Sequence, residues 1–198
     1  MTEYQKKSYL QQLADTRRLA TDIPPEEQAW LRQQLTPVTL EKQAHFLRAG
    51  EIPRRIGFNL HGLMRLYYID RDGNEVNKHF CTEQTLAISY SAFLEQAASK
   101  IFIQALEDTR LLVLEHDIYL ALLDRHPCWQ KAARQLSEML YILKEKREFE
   151  LLMYSAKERY LLFREEYAAL DQRLNQYHIA SYLGITPESL SRIRANLR

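Results

Sequence analysis

Glycine and proline are distributed unevenly along this chain, and that unevenness limits what it can fold into. Four of its five glycines stand at positions 50, 57, 62 and 73, and the fifth is Gly184. No proline falls between Pro127 and Pro187. A stretch so free of chain breakers, with apolar residues at spacings of three and four, predicts helices. From Val38 to about Glu115 the pattern is the opposite. Short clusters rich in β-branched and aromatic residues alternate there with turn residues, which predicts a small antiparallel β-barrel or jelly roll. Together the two halves predict an α+β chain.

Within the helical half, Trp129, Ala132, Leu136, Met139, Leu140, Ile142 and Leu143 form an apolar stripe that continues through Phe149, Leu152 and Met153. At ~1.5 Å per residue such a helix spans roughly 35–40 Å. One small β domain cannot cover a stripe of that length, whereas the same helix of a second copy can. The expectation is a homodimer, with the charged run Lys144–Glu148 interrupting any regular coiled coil. Ser155 followed by Glu158 is a capping-box signature, and Tyr160, Phe163, Tyr167, Leu170 and Leu174 continue a helical face. Asn175 is suited to cap the next helix.

The segment Gln176–Leu197, QYHIASYLGITPESLSRIRANL, predicts two short helices around a tight turn. Ile179, Ala180 and Leu183 share an apolar face, Gly184 suits a left-handed turn, and Ile185 packs back toward the core. Thr186 can cap the second helix, with Pro187 in its first position and Glu188 in its first turn. Leu190, Ile193 and Leu197 form its buried face. Glu188, Ser189, Ser191, Arg192 and Arg194 lie opposite. A polar, arginine-bearing second helix of a helix-turn-helix is a form that enters a DNA major groove.

Residues from about Ala156 to Leu197, and IASYLGITPESLSRIR most of all, resemble the C-terminal DNA-binding domain of the Crp/Fnr family. HGLMRLYYIDRDGNEV resembles the second hairpin of that family's cyclic-nucleotide-binding domain, and IQALEDTRLLVL its closing strands. The resemblance implies double-stranded DNA as partner. It places Pro187, Glu188 and Arg192 where the family reads base edges, with Pro187 standing where arginine is often found. Thr186, Tyr177 and His178 are candidate phosphate contacts. Ser189, Ser191 and Arg194 complete the candidate DNA-binding set. The implied division is a sensor with N-terminal helices over 1–126, a dimerisation helix over 127–154 and a helix-turn-helix domain over 155–198.

In cyclic-nucleotide binders a Gly-Glu pair and a later arginine hold the ribose and the phosphate. The corresponding stretch, Cys81–Ile101, contains no glycine, and Lys100 stands near the arginine position. Lysine is a point charge and not a bidentate fork. The expectation is a degenerate or non-cAMP pocket. Ser89, Tyr90, Ser91 and Lys100 are the candidates for a small anionic effector.

Enzyme chemistry finds little support. The six histidines, at 45, 61, 79, 116, 126 and 178, form no HxH pair, so a metal site of cupin type lacks its ligands. His61, Glu75 and His79 are the one set that a hairpin could bring together. No P-loop, nucleophile elbow or dinucleotide fingerprint is present. Cys81 and Cys128 form no CxxC pair, so neither an iron–sulfur cluster nor a disulfide framework is expected. No cofactor or metal is expected. Without a signal-peptide h-region or a long apolar run, the expectation is a cytoplasmic protein with no membrane partner. The net charge of +1 excludes a polycation that coats nucleic acid through bulk charge. Basic residues do gather locally. From 157 to 198 seven basic residues face five acidic ones, and the last seven residues hold three arginines. Near-neutral charge also keeps a second reading open, a cyclic-nucleotide-like interaction module that does not bind DNA.

Overall fold

The computed structural model describes residues 23–167 and 169–197. The sequence also reads residues 1 to about 36 as helical, with Leu10 and Leu13 as apolar points and Asp22 able to cap the helix after it; those three residues lie outside the described residues. The first described helix, α1 (Pro25–Gln34), begins after Pro24, with Glu26 and Glu27 in its first turn.

Eight strands follow the α1 helix in two four-stranded sheets. Strands β1 (Thr36–Leu40), β8 (Thr109–Glu115), β3 (Arg55–His61) and β6 (Leu86–Ala87) are neighbours in that order in one sheet. The other sheet runs β2 (His45–Leu47), β7 (Phe102–Ala105), β4 (Met64–Ile69) and β5 (Glu75–Cys81). The expected hairpin of β4 and β5 around Asp70–Asn74 is present. Asp70 Oδ1 accepts from the backbone N–H groups of Asp72 (2.9 Å) and Asn74 (2.8 Å), which closes the turn. Of the two arrangements expected, barrel or jelly roll, the two separate sheets match the jelly roll and not a closed barrel. The sequence also reads Ile101–Leu106 and Arg110–Leu114 as a pair across Glu107-Asp108-Thr109; that expectation fails, because the strands there, β7 and β8, belong to different sheets. The connection between them carries the chain from one sheet to the other, and β8 pairs with β1 and β3.

The two sheets share one core. Phe46, Leu47, Met64, Leu66, Cys81, Ile103, Leu111 and Val113, drawn from both, are buried together. Asn59 is fully buried. It is tolerated because its Nδ2 donates to Gly62 O (2.8 Å) and Cys81 O (3.2 Å), and so ties the β3–β4 turn to β5. At that turn Gly62 has φ +94°, and a Cβ there would lie 2.5 Å from the backbone oxygen of Asp108. Gly62→Ala is therefore expected to destabilise the protein by about 2 kcal/mol or more, from backbone strain plus a clash with rigid backbone. The shift of its urea midpoint measures this.

A short helix, α2 (Tyr90–Glu95), lies between β6 and β7, and β8 is followed by α3 (His116–Arg125), α4 (Pro127–Met153, 27 residues) and α5 (Ala156–Glu166). The last two are α6 (Gln176–Leu183) and α7 (Pro187–Ala195). Trp30 and Leu31 of α1 pack with Leu122 and Trp129. There Glu27, 5% exposed, accepts from Trp129 Nε1 (2.8 Å) and pairs with Arg125 (3.0 Å). A buried carboxylate needs this pairing. The hydrogen bond from Trp129, more than the Arg125 charge, holds its pKa below the ordinary value.

The chain divides into two compact units. The first comprises residues up to Leu66 and Phe80–Met139, and the second Tyr67–His79 and Leu140–Arg198. The outer half of the β4–β5 hairpin thus belongs with the C-terminal helices.

Candidate functional site

In the first unit a cavity of about 330 Å³ opens between β2, the 51–55 segment, Ser89 and Ile103. Its walls are apolar at Phe46, Leu47, Ile52 and Ile103, and its cations are Arg54 and Arg55. Of the four residues the sequence suggests for an effector, only Ser89 lines it. The Ser89 hydroxyl is 3.0 Å from the Ser99 hydroxyl, and Ser99 Oγ also accepts from the Ile101 N–H (3.1 Å). Tyr90 OH lies 2.7 Å from Ser137 Oγ on α4, and Ser91 and Lys100 are exposed. Arg54 and Arg55 were missed because only the fold brings the segment before β3 beside Ser89. The Arg55 guanidinium sits 5.2 Å from the Phe46 ring centre.

The second unit holds the helical pair. The three N-terminal caps expected here, at Ser155, Asn175 and Thr186, all form. Ser155 and Glu158 make a reciprocal capping box at α5, and Asn175 Oδ1 accepts from Tyr177 N–H (3.0 Å). Thr186 Oγ1 accepts from Ser189 N–H (3.3 Å). Gly184 ends α6 in the left-handed conformation at φ 69°. Ile179, Ala180, Leu183 and Leu190 are buried, with Ile193 and Leu197 half-buried. Ile185 is also only half-buried. Gln176 Nε2 donates to Pro187 O (2.6 Å), so the start of α6 is bound to the start of α7. Two arginines hold the other end of α6. Arg147 of α4 donates to Tyr182 O and lies over its ring at 3.9 Å, while Arg159 Nε donates to Leu183 O (3.1 Å). Cations on the last carbonyls of a helix complete its C-terminus and oppose its dipole. No local sequence signal announces these long-range caps.

The fixed helices leave one face of α7 open. Thr186, Glu188, Ser191 and Arg192 are exposed, with Tyr177 exposed on α6, while Pro187 and Ser189 are half-buried. Backbone N–H bonding in the first turn, then the Thr186 hydroxyl, holds the Glu188 carboxyl below its ordinary pKa, so it presents a carboxylate acceptor. Arg192 reaches Ser189 Oγ at 3.3 Å. Two of the sequence candidates point elsewhere. Arg194 turns inward to Asp171 (2.5 Å) and to Tyr160 OH (3.0 Å), and His178 faces Asn77 of β5.

The outer surface of α4 carries exposed apolar residues: Tyr141 (64% exposed), Ile142 (62%), Phe149 (52%), Leu152 (76%) and Met153 (66%). The charged run that breaks the stripe in sequence partly faces inward. Lys146 pairs with Glu166 (2.9 Å) and Glu150 (3.6 Å), and Arg147 with Glu150 (3.6 Å). Glu138, Ile142, Glu145, Phe149 and Leu152 then follow at alternating spacings of four and three, a heptad seam with glutamate at two positions.

Among the described residues no three His, Cys, Asp or Glu side chains, the set His61, Glu75 and His79 included, come together as a metal site. His79 is set against Tyr167 (3.3 Å to its OH), and burial pushes its pKa down to about 4. Burial likewise pushes the Cys81 thiol up to about 12, so it is not a nucleophile near neutral pH. No helix of the described residues is long and apolar enough to cross a membrane.

No family model matches the chain, and no curated protein sequence is similar to it. Solved structures are. FixK2 from Bradyrhizobium japonicum is 18% identical, with a TM-score of 0.71 over 82% of this chain and 84% of that one. CLP, the c-di-GMP-responsive global regulator of Xanthomonas campestris, is 12% identical, with a TM-score of 0.71 over 88% and 91%. The Thermus thermophilus catabolite activator protein is 22% identical, with a TM-score of 0.59 over 91% and 86%. These are regulators of Crp/Fnr type. The chain shares their fold.

Proposed function

We propose that this chain is a homodimeric, sequence-specific DNA-binding transcription regulator of Crp/Fnr type, and not an enzyme. The observation that carries the reading is the exposed polar face of α7, with Arg192, Ser191 and Glu188 projecting from a helix whose opposite side is buried and whose ends are capped. In this reading Thr186 and Tyr177 contact phosphates, Glu188 accepts from a cytosine amino group, and Arg192 forks onto a guanine. Pro187, Ser189 and Ser191 shape the remaining contact surface. His178 and Arg194 act by holding the frame.

The functional division is a sensor over 1–126, a dimerisation helix over 127–154 and a DNA-binding domain over 155–198. A second copy of the chain covers the seam of α4. A self-complementary apolar strip on a helix of this length suits a twofold partner, and two reading helices suit a twofold operator. The sensor pocket is degenerate with respect to cyclic nucleotides: Ser89 and Ser99 pair with each other where a Gly-Glu cassette and an arginine would hold ribose and phosphate. Two exposed cations, Arg54 and Arg55, line the pocket against one carboxylate, Glu51, which already accepts from the Arg48 N–H (2.8 Å), and this balance favours a small anionic effector.

Hydrogen exchange of the full chain, with and without a pool of short random duplexes, tests the reading. Protection gained at Gln176–Tyr177 and across Thr186–Arg192 is expected. Protection that spares both segments while DNA is bound would contradict it.

A further inference from the structure

The outer half of the β4–β5 hairpin and helix α6 lie in one compact unit and are joined by hydrogen bonds that neither helix nor sheet geometry requires. Ser181 Oγ donates to Glu75 O (2.7 Å) and accepts from Asn77 N–H (2.9 Å). One hydroxyl thus fills both its roles on the backbone of β5. Asn77 is 3% exposed, and its Nδ2 donates to His178 O (3.1 Å), while its Oδ1, also buried, finds no donor among the described residues. Two residues further along β5, on the same face of the strand, His79 meets Tyr167. The junction is polar, and one of its buried groups is left unsatisfied. A junction of that kind is ordered yet weaker than a packed apolar one.

We infer that Ser181 and Asn77 are positioning residues: they latch the β4–β5 hairpin to the first helix of the helical pair and so set the orientation in which α7 is presented. The inference rests on the DNA-binding reading for its functional consequence, but not for the latch itself. Two observations favour positioning over occlusion. With the latch closed, Thr186, Glu188, Ser191 and Arg192 remain exposed, so the hairpin does not cover the reading face. The same α6 helix is bound to α7 through Gln176 Nε2 and Pro187 O, so whatever fixes α6 fixes α7. The strands that carry the latch are continuous with buried residues of the first unit. Met64 and Leu66 precede the hairpin tip, and Phe80 and Cys81 follow it, all 5% exposed or less.

Ser181→Ala in the full chain is the test, because alanine keeps the helix and removes only the hydroxyl. Amide exchange measured without DNA should be at least about tenfold faster at Asn77, with core amides such as Ile103 and Leu112 unchanged. Asn77→Ala should loosen the N–H groups of α6 in the same way. Unchanged exchange at Asn77 in Ser181→Ala would overturn the latch. Affinity for a selected operator should fall about three- to tenfold in both variants, because a loosely held helix loses orientational freedom on binding. Operator affinity equal to that of the parent, alongside faster exchange, would overturn the positioning role. If the parent protein binds no operator, the DNA-binding reading fails, and the exchange result still decides the latch.

Discussion

Replacing Ile142 and Leu152 together with lysine is expected to yield a folded monomer. Both side chains stand mostly in solvent in the single chain, at 62% and 76% exposure, so the change has little to disturb within one copy. In the dimer each would lose the burial of a large aliphatic side chain, worth about 1.5–3 kcal/mol, and would place a cation in an apolar seam. Counted on both copies, the dimerisation constant should fall by at least about a thousandfold. Sedimentation equilibrium reads the mass directly, and circular dichroism confirms that the helices persist. A double variant that sediments as the parent does would show that the stripe is covered by something other than its own copy. Glu145, in the middle of the seam, gives a further check. A carboxylate facing its twofold mate weakens the dimer, so Glu145→Leu should tighten it.

Arg192→Ala is expected to cost about 1–3 kcal/mol at a specific site, a loss of roughly 5- to 150-fold, and to relax preference at one base pair. Arg192 is exposed on α7, where it meets the Ser189 hydroxyl and the charge of Glu188, both on its own helix, so its removal leaves the frame intact. Arg194, two residues on, supplies the contrast. It is bound to Asp171 and Tyr160, so Arg194→Ala should lower thermal stability while leaving the order of base preferences unchanged. Competition binding against single-base operator variants separates the two outcomes. Loss of specificity with Arg194→Ala, and none with Arg192→Ala, would mean that another face of α7 meets the DNA.

The sequence read best where the physics is local. Ser155 with Glu158, Asn175, Gly184 and Thr186 each act within a few residues of themselves, and each does in the structure what its spacing implies. The β4–β5 hairpin was legible for the same reason, since Asp70 closes its own turn. Sheet membership was not. Ile103 and Leu112 lie nine residues apart, and nothing between them says that the chain crosses from one sheet to the other. Burial of a long polar side chain was legible only in part. Arg194 stands four residues after Leu190 and three before Leu197, on the side of α7 that the fold buries, whereas Arg192 lies about 200° away; grouping the two arginines on one face overlooked this, and Asp171, brought close by the fold, supplies the partner. Arg54 and Arg55 came to the cavity mouth, and Lys100 did not, because residues distant in sequence set the cavity walls. Conversely, Lys146 and Arg147 looked like an interruption of the α4 stripe, until Glu150 and Glu166 drew them to the inner side and left Ile142, Phe149 and Leu152 outward.

Whether a dimer reads sequence with α7 is decided by selecting bound duplexes from a random pool at near-physiological salt. An enriched palindrome whose half-sites lie about one helical turn apart is expected, since two reading helices related by a twofold axis meet the same groove face. A pool that stays random while binding vanishes steeply with added salt would contradict it. The contact would then be electrostatic alone, and the chain would be better described as an interaction module built on a cyclic-nucleotide-binding fold.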